Sequence, residues 1–539
     1  MTTHYPNAAT TPPPERLNFA AFLFARNAHR ETKAAYVDDN GTLSFGQLAD
    51  RARRFASALG ALGLRRDERV LLLMHDCNDW PVAFLGALYA GVVPVAVNTL
   101  LTADDYAYML SHSRAQAVVV SPALLPVLLA AIKLAQHAPN AVIVAGKHAA
   151  PEEGDATLSM QQLIATNNAA QMHADTHADE PGFWLYSSGS TGKPKGTVHT
   201  HGNLYWTATL YAQPVMGLTE SDVCFSAAKL FFAYGLGNAL TFPLYVGATT
   251  VLMAERPTPE ACFKRFTEHK PSVFFGAPTG YAGMLASPNL PAQNDVALRL
   301  CSSAGEALPR EIGEKFSAHF GCEIIDGIGS TEMLHVFLSN RPGDVRYGTT
   351  GKPVAGYTVE LRDELGAVVN GSDAVGDLYI NGPSAALLYW ANREKSSETF
   401  RGAWTKSGDK YFRDGDGYYV YAGRSDDMLK VSGQYVSPFE VESTLMQHPL
   451  VLESAVIGVD DVDGLTRAKA FVVLKDSSLA SAALIEELKA FVKSKLAPYK
   501  YPRQLEFVAE LPKTATGKIQ RFKLRDIEKS RRVDPSAVS

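Results

Sequence analysis

From Thr42 to Leu64 apolar side chains return at Phe45, Leu48, Ala52, Phe55, Leu59 and Leu62, a three-to-four spacing that lays one stripe along a helix; Gly63 ends it. The unbroken apolar run Val70–Leu73 predicts a buried strand. The two textures then alternate: a helix near Val82–Ala90, a strand at Val92–Val97, a helix near Asp104–Ser113, a strand at Ala117–Val120, a helix over 122–136 and a strand at Ala141–Val144. A polar connection, Asn167–Glu180, leads to the apolar and aromatic Phe183–Tyr186, read as another strand. The alternation resumes with strands at Thr249–Leu252, Ser272–Phe275, Leu298–Cys301 and Glu323–Ile325, and helices at Pro259–His269, 278–286 and Pro309–His319. Such a series predicts parallel sheet with helices on both faces, because each strand-to-strand crossover has to run back over the sheet.

From about Val345 the texture changes to short strands and glycine turns, as in Gly376–Asn381 and Asp414–Tyr421, which predicts a β-barrel-like section. After the charged segment GRSDDMLKVSG a compact α+β tail follows, with strands near Ala455–Val459, Ala468–Leu474 and Gln504–Val508 and a helix over 482–495. The expected fold is α/β: a large N-terminal domain of doubly wound sheets plus the barrel-like section over 17–424, a hinge at 425–427, and a small mobile α+β domain over 428–539. Residues 1–16 are polar and Pro/Thr-rich and read as a disordered tail rather than a signal peptide.

At 539 residues and 46% hydrophobic content the chain is long enough for more than one domain. A net charge of -5 without long basic runs argues against nucleic acid as a partner. The apolar run Pro81–Val97 is shorter than the roughly 20 residues a membrane span needs and is broken by Gly86, Gly91 and Pro94, so no membrane partner is expected. Five scattered cysteines without a CxxC pair read as reduced thiols of a cytoplasmic protein.

The stretch YSSGSTGKPKG, Tyr186–Gly196, places three glycines, four hydroxyls and two lysines at the carboxyl end of a predicted strand. Glycines let backbone N–H groups close on one anion while hydroxyls and ammonium groups add donors, so this composition suits a phosphate. It is not the nucleotide-triphosphatase P-loop, since Ser187 stands where that motif needs glycine and Pro194 follows Lys193. Pro194 also argues against an immediate helix.

Four further segments follow: GIGSTE at 327–332, WTKSGD at 404–409, GRSDD at 423–427 and PKTATGKIQR at 512–521. In order and spacing the five resemble the acyl-adenylate-forming superfamily, in its acyl-CoA synthetase branch. The resemblance spans nearly the whole chain. It implies two half-reactions, attack of a carboxylate on ATP to give an acyl-AMP and pyrophosphate, then transfer of the acyl group to coenzyme A, with Mg²⁺ as the metal and rotation of the small domain between them. It further implies that Ser187, Ser188, Gly189, Ser190, Thr191, Gly192 and Lys193 grip the β- and γ-phosphates, that Thr331 meets the α-phosphate and that Glu332 binds Mg²⁺. Gly305, Glu306, Asp326, Gly327 and Ile328 are similar to the adenine walls, and Asp409 and Arg424 to the ribose contacts. Lys518 matches the lysine that bridges carboxylate and phosphate during adenylation, Asp426 the hinge, and Gly433 a glycine beside the pantetheine of CoA. Acetylation of Lys518 by a lysine acetyltransferase and a homodimeric state are also what relatives suggest.

AKLFFAYGLG with Ser330–Val354 resembles benzoate-CoA ligases. Departures from the commoner fatty-acid and coumarate enzymes, at Lys229, Phe232 and Ile328, argue against carrying those enzymes' substrates over. A flat ring needs apolar walls and small residues that leave a slot, which Ala227, Ala228, Tyr234, Gly327 and Gly329 supply, with His335 closing one end. A ligase for another small aromatic or short aliphatic acid, or a carrier-loading adenylation enzyme, stands as the alternative.

Overall fold

The computed structural model describes residues 11–146, 157–187, 193–425, 427–431, 434–460, 466–496, 500–513 and 519–533. Ser188–Gly192, Asp426, Gly433 and Lys518 lie outside them.

The alternating region forms two sheets. The first has eight strands in the order Leu388–Tyr389, Lys195–Thr200, Pro181–Ser187, Val93–Ala96, Arg69–Leu73, Ala117–Val120, Ala141–Val144, Thr157–Ser159. It is parallel from Pro181–Ser187 onward, and the two strands before that are antiparallel additions. Its strands Val93–Ala96, Ala117–Val120 and Ala141–Val144 are unbroken apolar runs because both faces are covered. The second sheet has nine strands in the order Lys352–Pro353, Val336–Ser339, Glu323–Gly329, Leu300–Ser303, Val273–Gly276, Val223–Ser226, Thr249–Val251, Ala34–Asp38, Gly41–Ser44. Its middle is parallel and both its edges are antiparallel.

Helix Phe45–Ala61 shows why the pattern folds as it does. Ser44 Oγ accepts from the Gln47 N–H at 3.2 Å while Gln47 Oε1 accepts from the Ser44 N–H at 2.9 Å, a reciprocal cap on the first turn. Its buried stripe packs on helix Asp79–Ala90, where Gly86 admits the close approach: a Cβ there would stand 2.8 Å from the Ala52 carbonyl oxygen. The glycine that interrupts the apolar run Pro81–Val97 is therefore a helix–helix contact. Among the described residues no helix is long and apolar enough to cross a membrane.

The expected barrel-like section is a five-stranded antiparallel sheet, Thr358–Arg362, Gly376–Asn381, Trp404–Arg413 and Phe400–Arg401, with Tyr419–Arg424 also paired to Trp404–Arg413. The C-terminal part is a three-stranded sheet, Val451–Asp460, Thr466–Leu474 and Gln504–Phe507, flanked by helices Pro438–Met446, Ala482–Lys495 and Arg521–Val533. Its buried Glu442 takes the Val456 N–H at 2.7 Å and the Arg521 guanidinium at 2.7 Å.

Ser425 is fastened to the antiparallel sheet, and Asp427 both to that sheet, through its N–H to the Arg424 carbonyl at 3.1 Å, and to the last helix. Ser425 donates its N–H to the Gly408 carbonyl at 2.9 Å and its hydroxyl to Asp377 at 2.9 Å, both in the antiparallel sheet. Asp427 pairs with Arg525 at 2.7 Å and stands 3.8 Å from Arg521, both on the last helix.

Candidate functional site

The strands Val223–Ser226, Val273–Gly276, Leu300–Ser303 and Glu323–Gly329 end side by side, with Gly276 opposite Ser303 and Ser303 opposite Asp326. Loops leaving this edge carry Ala227, Ala228, Gly305 and Glu306, so residues spread over a hundred positions meet at the carboxyl end of one parallel sheet, where ligands of open α/β sheets bind. Gly305 has φ +99°, a conformation in which a side chain is strained. Asp326 is buried, and burial pushes its carboxyl up to about 8 against the Ser303 hydroxyl and the Leu308 and Gly327 N–H groups, which pull the other way. At neutral pH it is a neutral acid, able to donate as well as accept, as the edge of a purine requires. Its main-chain carbonyl is held by the Asn340 N–H at 2.9 Å.

The aromatic end of the site is built around His335. Its ring lies 5.5 Å from that of Tyr234, 5.4 Å from Tyr211 and 4.5 Å from Phe242. The wide helical turn Gly237–Thr241 sets Asn238 Oδ1 3.1 Å from His335 Nε2. A carboxamide oxygen only accepts, so Nε2 carries the proton. Burial lowers the His335 ring to about 3, so it is neutral at physiological pH. Tyr234 donates its hydroxyl to Ser302 Oγ at 3.0 Å. Gly329 lies against His335 so closely that a Cβ would stand 2.5 Å from the His335 carbonyl oxygen, and one on Gly327 would stand 2.9 Å from the Leu338 oxygen. Tyr234, His335 and Ile328 share one face of the nine-stranded sheet with the main core, whereas Ala227 packs with the Phe225, Cys262 and Phe274 cluster on the other.

The Thr331–Glu332 turn leaves the second sheet and is gripped from the first. The Thr331 carbonyl accepts from His199 Nε2 at 2.7 Å, and Asn203 Nδ2 donates to His199 Nδ1 at 2.8 Å, which fixes the tautomer. Asn203 in turn accepts the Thr200 hydroxyl at 2.9 Å. Burial lowers His199 to about 4, so the chain stays uncharged. Glu332 Oε1 accepts the Tyr389 hydroxyl at 2.6 Å, and Lys195 Nζ stands 3.3 Å from that hydroxyl. Among the described residues no three His, Cys, Asp or Glu side chains converge as a metal cage. Mg²⁺ in nucleotide sites is held through one or two carboxylates plus substrate phosphates, so a single half-buried Glu332 fits an ion that arrives with ATP.

Ser187 closes its strand opposite Lys195. The strand that begins at Lys195 runs antiparallel to the one that ends at Ser187. Lys193 Nζ lies 5.2 Å above the Tyr108 ring, whose hydroxyl donates to the Pro194 carbonyl at 3.2 Å. Asp409 and Arg424 are opposite partners on adjacent strands, joined at 3.1 Å. Tyr411 lies near both Asp409 and Asp326: burial pushes its phenol up, the Asp409 charge adds to it, and Asp326 contributes.

The descriptions of two families match this chain: AMP-binding enzyme over residues 23–390 and the AMP-binding enzyme C-terminal domain over 440–518. The chain belongs to the AMP-binding enzymes. Among its AMP-binding relatives, a benzoate–CoA ligase of Thauera aromatica is 56% identical over 96% of this chain and 98% of its own length. The crystal structure of a benzoate CoA ligase from Burkholderia xenovorans is 62% identical, with a TM-score of 0.88 over 94% of this chain and 100% of that one. An anthranilate CoA ligase solved with anthranoyl-AMP is 42% identical, with a TM-score of 0.92 over 97% and 99%.

Sequence reasoning missed His199, Asn203, Lys195, Tyr389 and Asn238. Lys195 lies inside the quoted glycine-rich stretch and was open to view. His199 stands in the otherwise apolar and hydroxylic run GTVHT, a placement that in retrospect marks a buried polar contact.

Proposed function

We propose that this chain is a benzoate-CoA ligase, an AMP-forming acid–thiol ligase that uses ATP, Mg²⁺ and coenzyme A. What carries the reading is the end-to-end likeness to benzoate-CoA ligases. The aromatic cluster of Tyr234 and His335, with His335 three residues after Glu332, supports it. In the first half-reaction a benzoate oxygen attacks the α-phosphorus of ATP, the bond to the β-phosphate breaks, and benzoyl-AMP and pyrophosphate result. In the second the CoA sulfur attacks the acyl carbon and AMP leaves.

The chain's own groups divide this work. Tyr234 and His335 flank the ring, and the close packing at Gly329 and Gly327 sets the width of the slot. The neutral Asp326, with Gly305, Glu306 and Ile328, takes the base; Asp409 and Arg424 take the sugar. Ser187–Lys193 and Thr331 face the phosphates, where N–H, hydroxyl and ammonium donors offset charge developing on phosphorus. Glu332 would hold Mg²⁺, which when bound supplies a Lewis acid on the phosphates. Lys518 bridges the two anions in the first step, Asp426 is the hinge and Gly433 lies along the pantetheine. The domain limits 17–424 and 428–539, a cytoplasmic location, a homodimer and control by acetylation of Lys518 are part of the same reading.

The test is pyrophosphate release from ATP and Mg²⁺ with a panel of carboxylic acids, each with and without CoA. CoA-dependent turnover with benzoate is expected. Turnover with aliphatic acids alone overturns the pocket assignment, and adenylation that no free CoA completes favours a carrier-dependent enzyme.

A further inference from the structure

Three groups of one segment close on the Thr331–Glu332 turn. Ser384 Oγ donates to the Met333 carbonyl at 2.7 Å, the Ala386 N–H donates to the Glu332 carbonyl at 2.7 Å, and the Tyr389 hydroxyl donates to the Glu332 carboxylate at 2.6 Å. Tyr389 is itself fixed. It is buried, pairs in the sheet opposite Thr197, donates its N–H to Ser396 Oγ at 2.9 Å and sets its ring 5.3 Å from Phe400. Lys195, two residues from Thr197, holds its ammonium 4.3 Å above the Tyr389 ring and 3.3 Å from the phenol oxygen.

The donors all point one way. An ammonium has only protons to give and a carboxylate oxygen only lone pairs, so Lys195 gives to the phenol oxygen and the phenol gives to Glu332. Each donation polarises the next and strengthens it in a partly buried setting. The phenol also stands between the cation and the anion. Were Lys195 to reach Glu332 directly, the ion pair would neutralise the carboxylate that a divalent cation needs.

We propose that Tyr389, backed by Lys195, is the positioning residue that aims the second oxygen of Glu332 at the metal–nucleotide complex while keeping the Lys195 ammonium off that carboxylate. This rests on the reading of Glu332 as the metal-holding residue. Its loss weakens retention of the divalent cation and leaves binding of the nucleotide itself intact, a split that general disruption of the fold does not produce.

The experiment uses the full chain and no turnover. Mn²⁺ is titrated into enzyme with ATP and without carboxylic acid, and free Mn²⁺ is followed by electron paramagnetic resonance; ATP affinity is measured separately with EDTA present. For Tyr389→Phe, Mn²⁺ affinity in the ATP complex is expected to fall about tenfold, as is usual when a metal ligand loses its outer partner, with metal-free ATP affinity within about twofold of wild type. Lys195→Met is expected to shift in the same direction and provides the reading if Tyr389→Phe does not fold. Unchanged Mn²⁺ affinity in Tyr389→Phe, or an equal loss of ATP affinity with and without metal, overturns the proposal. Glu332→Gln separates the two readings: if it retains Mn²⁺ like wild type, the metal assignment itself fails, whatever Tyr389 does.

Discussion

Replacing Asp326 by asparagine tests whether its buried carboxyl is neutral in the fold. Burial raises it from an ordinary 3.8 to about 8 in the folded chain. Below pH 3.8 both folded and unfolded forms carry the proton, and the favourable burial of a neutral acid is fully present. Between there and about pH 8 the unfolded chain ionises while the folded one does not, so wild-type stability falls by about 1.4 kcal/mol per pH unit. Asparagine has the same shape and no titration, so the stability of Asp326→Asn minus that of wild type grows with pH. From pH 5 to pH 7 the two units of slope give on the order of 2 to 3 kcal/mol. All other groups titrate alike in both proteins and cancel. The assay is thermal unfolding of both proteins in parallel at half-unit steps from pH 5 to 8. Melting curves that keep a constant separation would falsify the argument, because they mean that Asp326 is ionised in the fold.

Gly329→Ala places a methyl 2.5 Å from the His335 carbonyl oxygen, which has to move. The Michaelis constant for benzoate is expected to rise about tenfold, the kinetic equivalent of 1 to 2 kcal/mol of overpacking, with that for ATP nearly unchanged; equal rises for both sink the pocket assignment. Arg521→Met strands the buried Glu442 carboxylate, so the C-terminal part should lose roughly 3 to 5 kcal/mol, much of it regained in the double variant with Glu442→Gln. No regain in the double variant means the loss came from packing. Lys518→Ala should abolish adenylation yet largely spare thioester formation from supplied benzoyl-AMP; matched losses in both half-reactions contradict a lysine used in only one.

Where pattern contrast is strong, the chain reads directly. Strands Ala117–Val120 and Ala141–Val144 and helices Pro259–His269, 278–286 and 482–495 lie where their periodicity puts them. Helix Phe19–Arg26 gave no such signal, because FAAFLFAR is apolar on every side and shows no stripe. Strand Lys195–Thr200 was hidden for the opposite reason. Lysine, glycine, histidine and threonines do not read as a buried run, yet this strand pairs on both sides. The glycine-rich stretch and the GIGSTE segment were legible because their chemistry is local. The contacts that hold Glu332 and Thr331 were not, since Tyr389 is 57 residues from Glu332, Lys195 is 194 from Tyr389, and His199 is 132 from Thr331. Partners at such separations leave no periodicity to find.

Ser425 is bolted to the antiparallel sheet, while Asp427 gives its N–H to the Arg424 carbonyl of that sheet and its carboxylate to the last helix, so the connection is short and anchored to both parts. Any turning of the C-terminal part against the rest would have to act through the few backbone torsions of this connection. That is an axle, not a leash. A leash lets its load wander over many orientations and search for the right one, whereas an axle restricts it to a narrow arc and returns it to the same stops. The spacing of the anchors is accordingly a design dimension: one glycine inserted after Ser425 would leave the side-chain anchors on either side and shift the Asp427 N–H off the Arg424 carbonyl that sets their alignment.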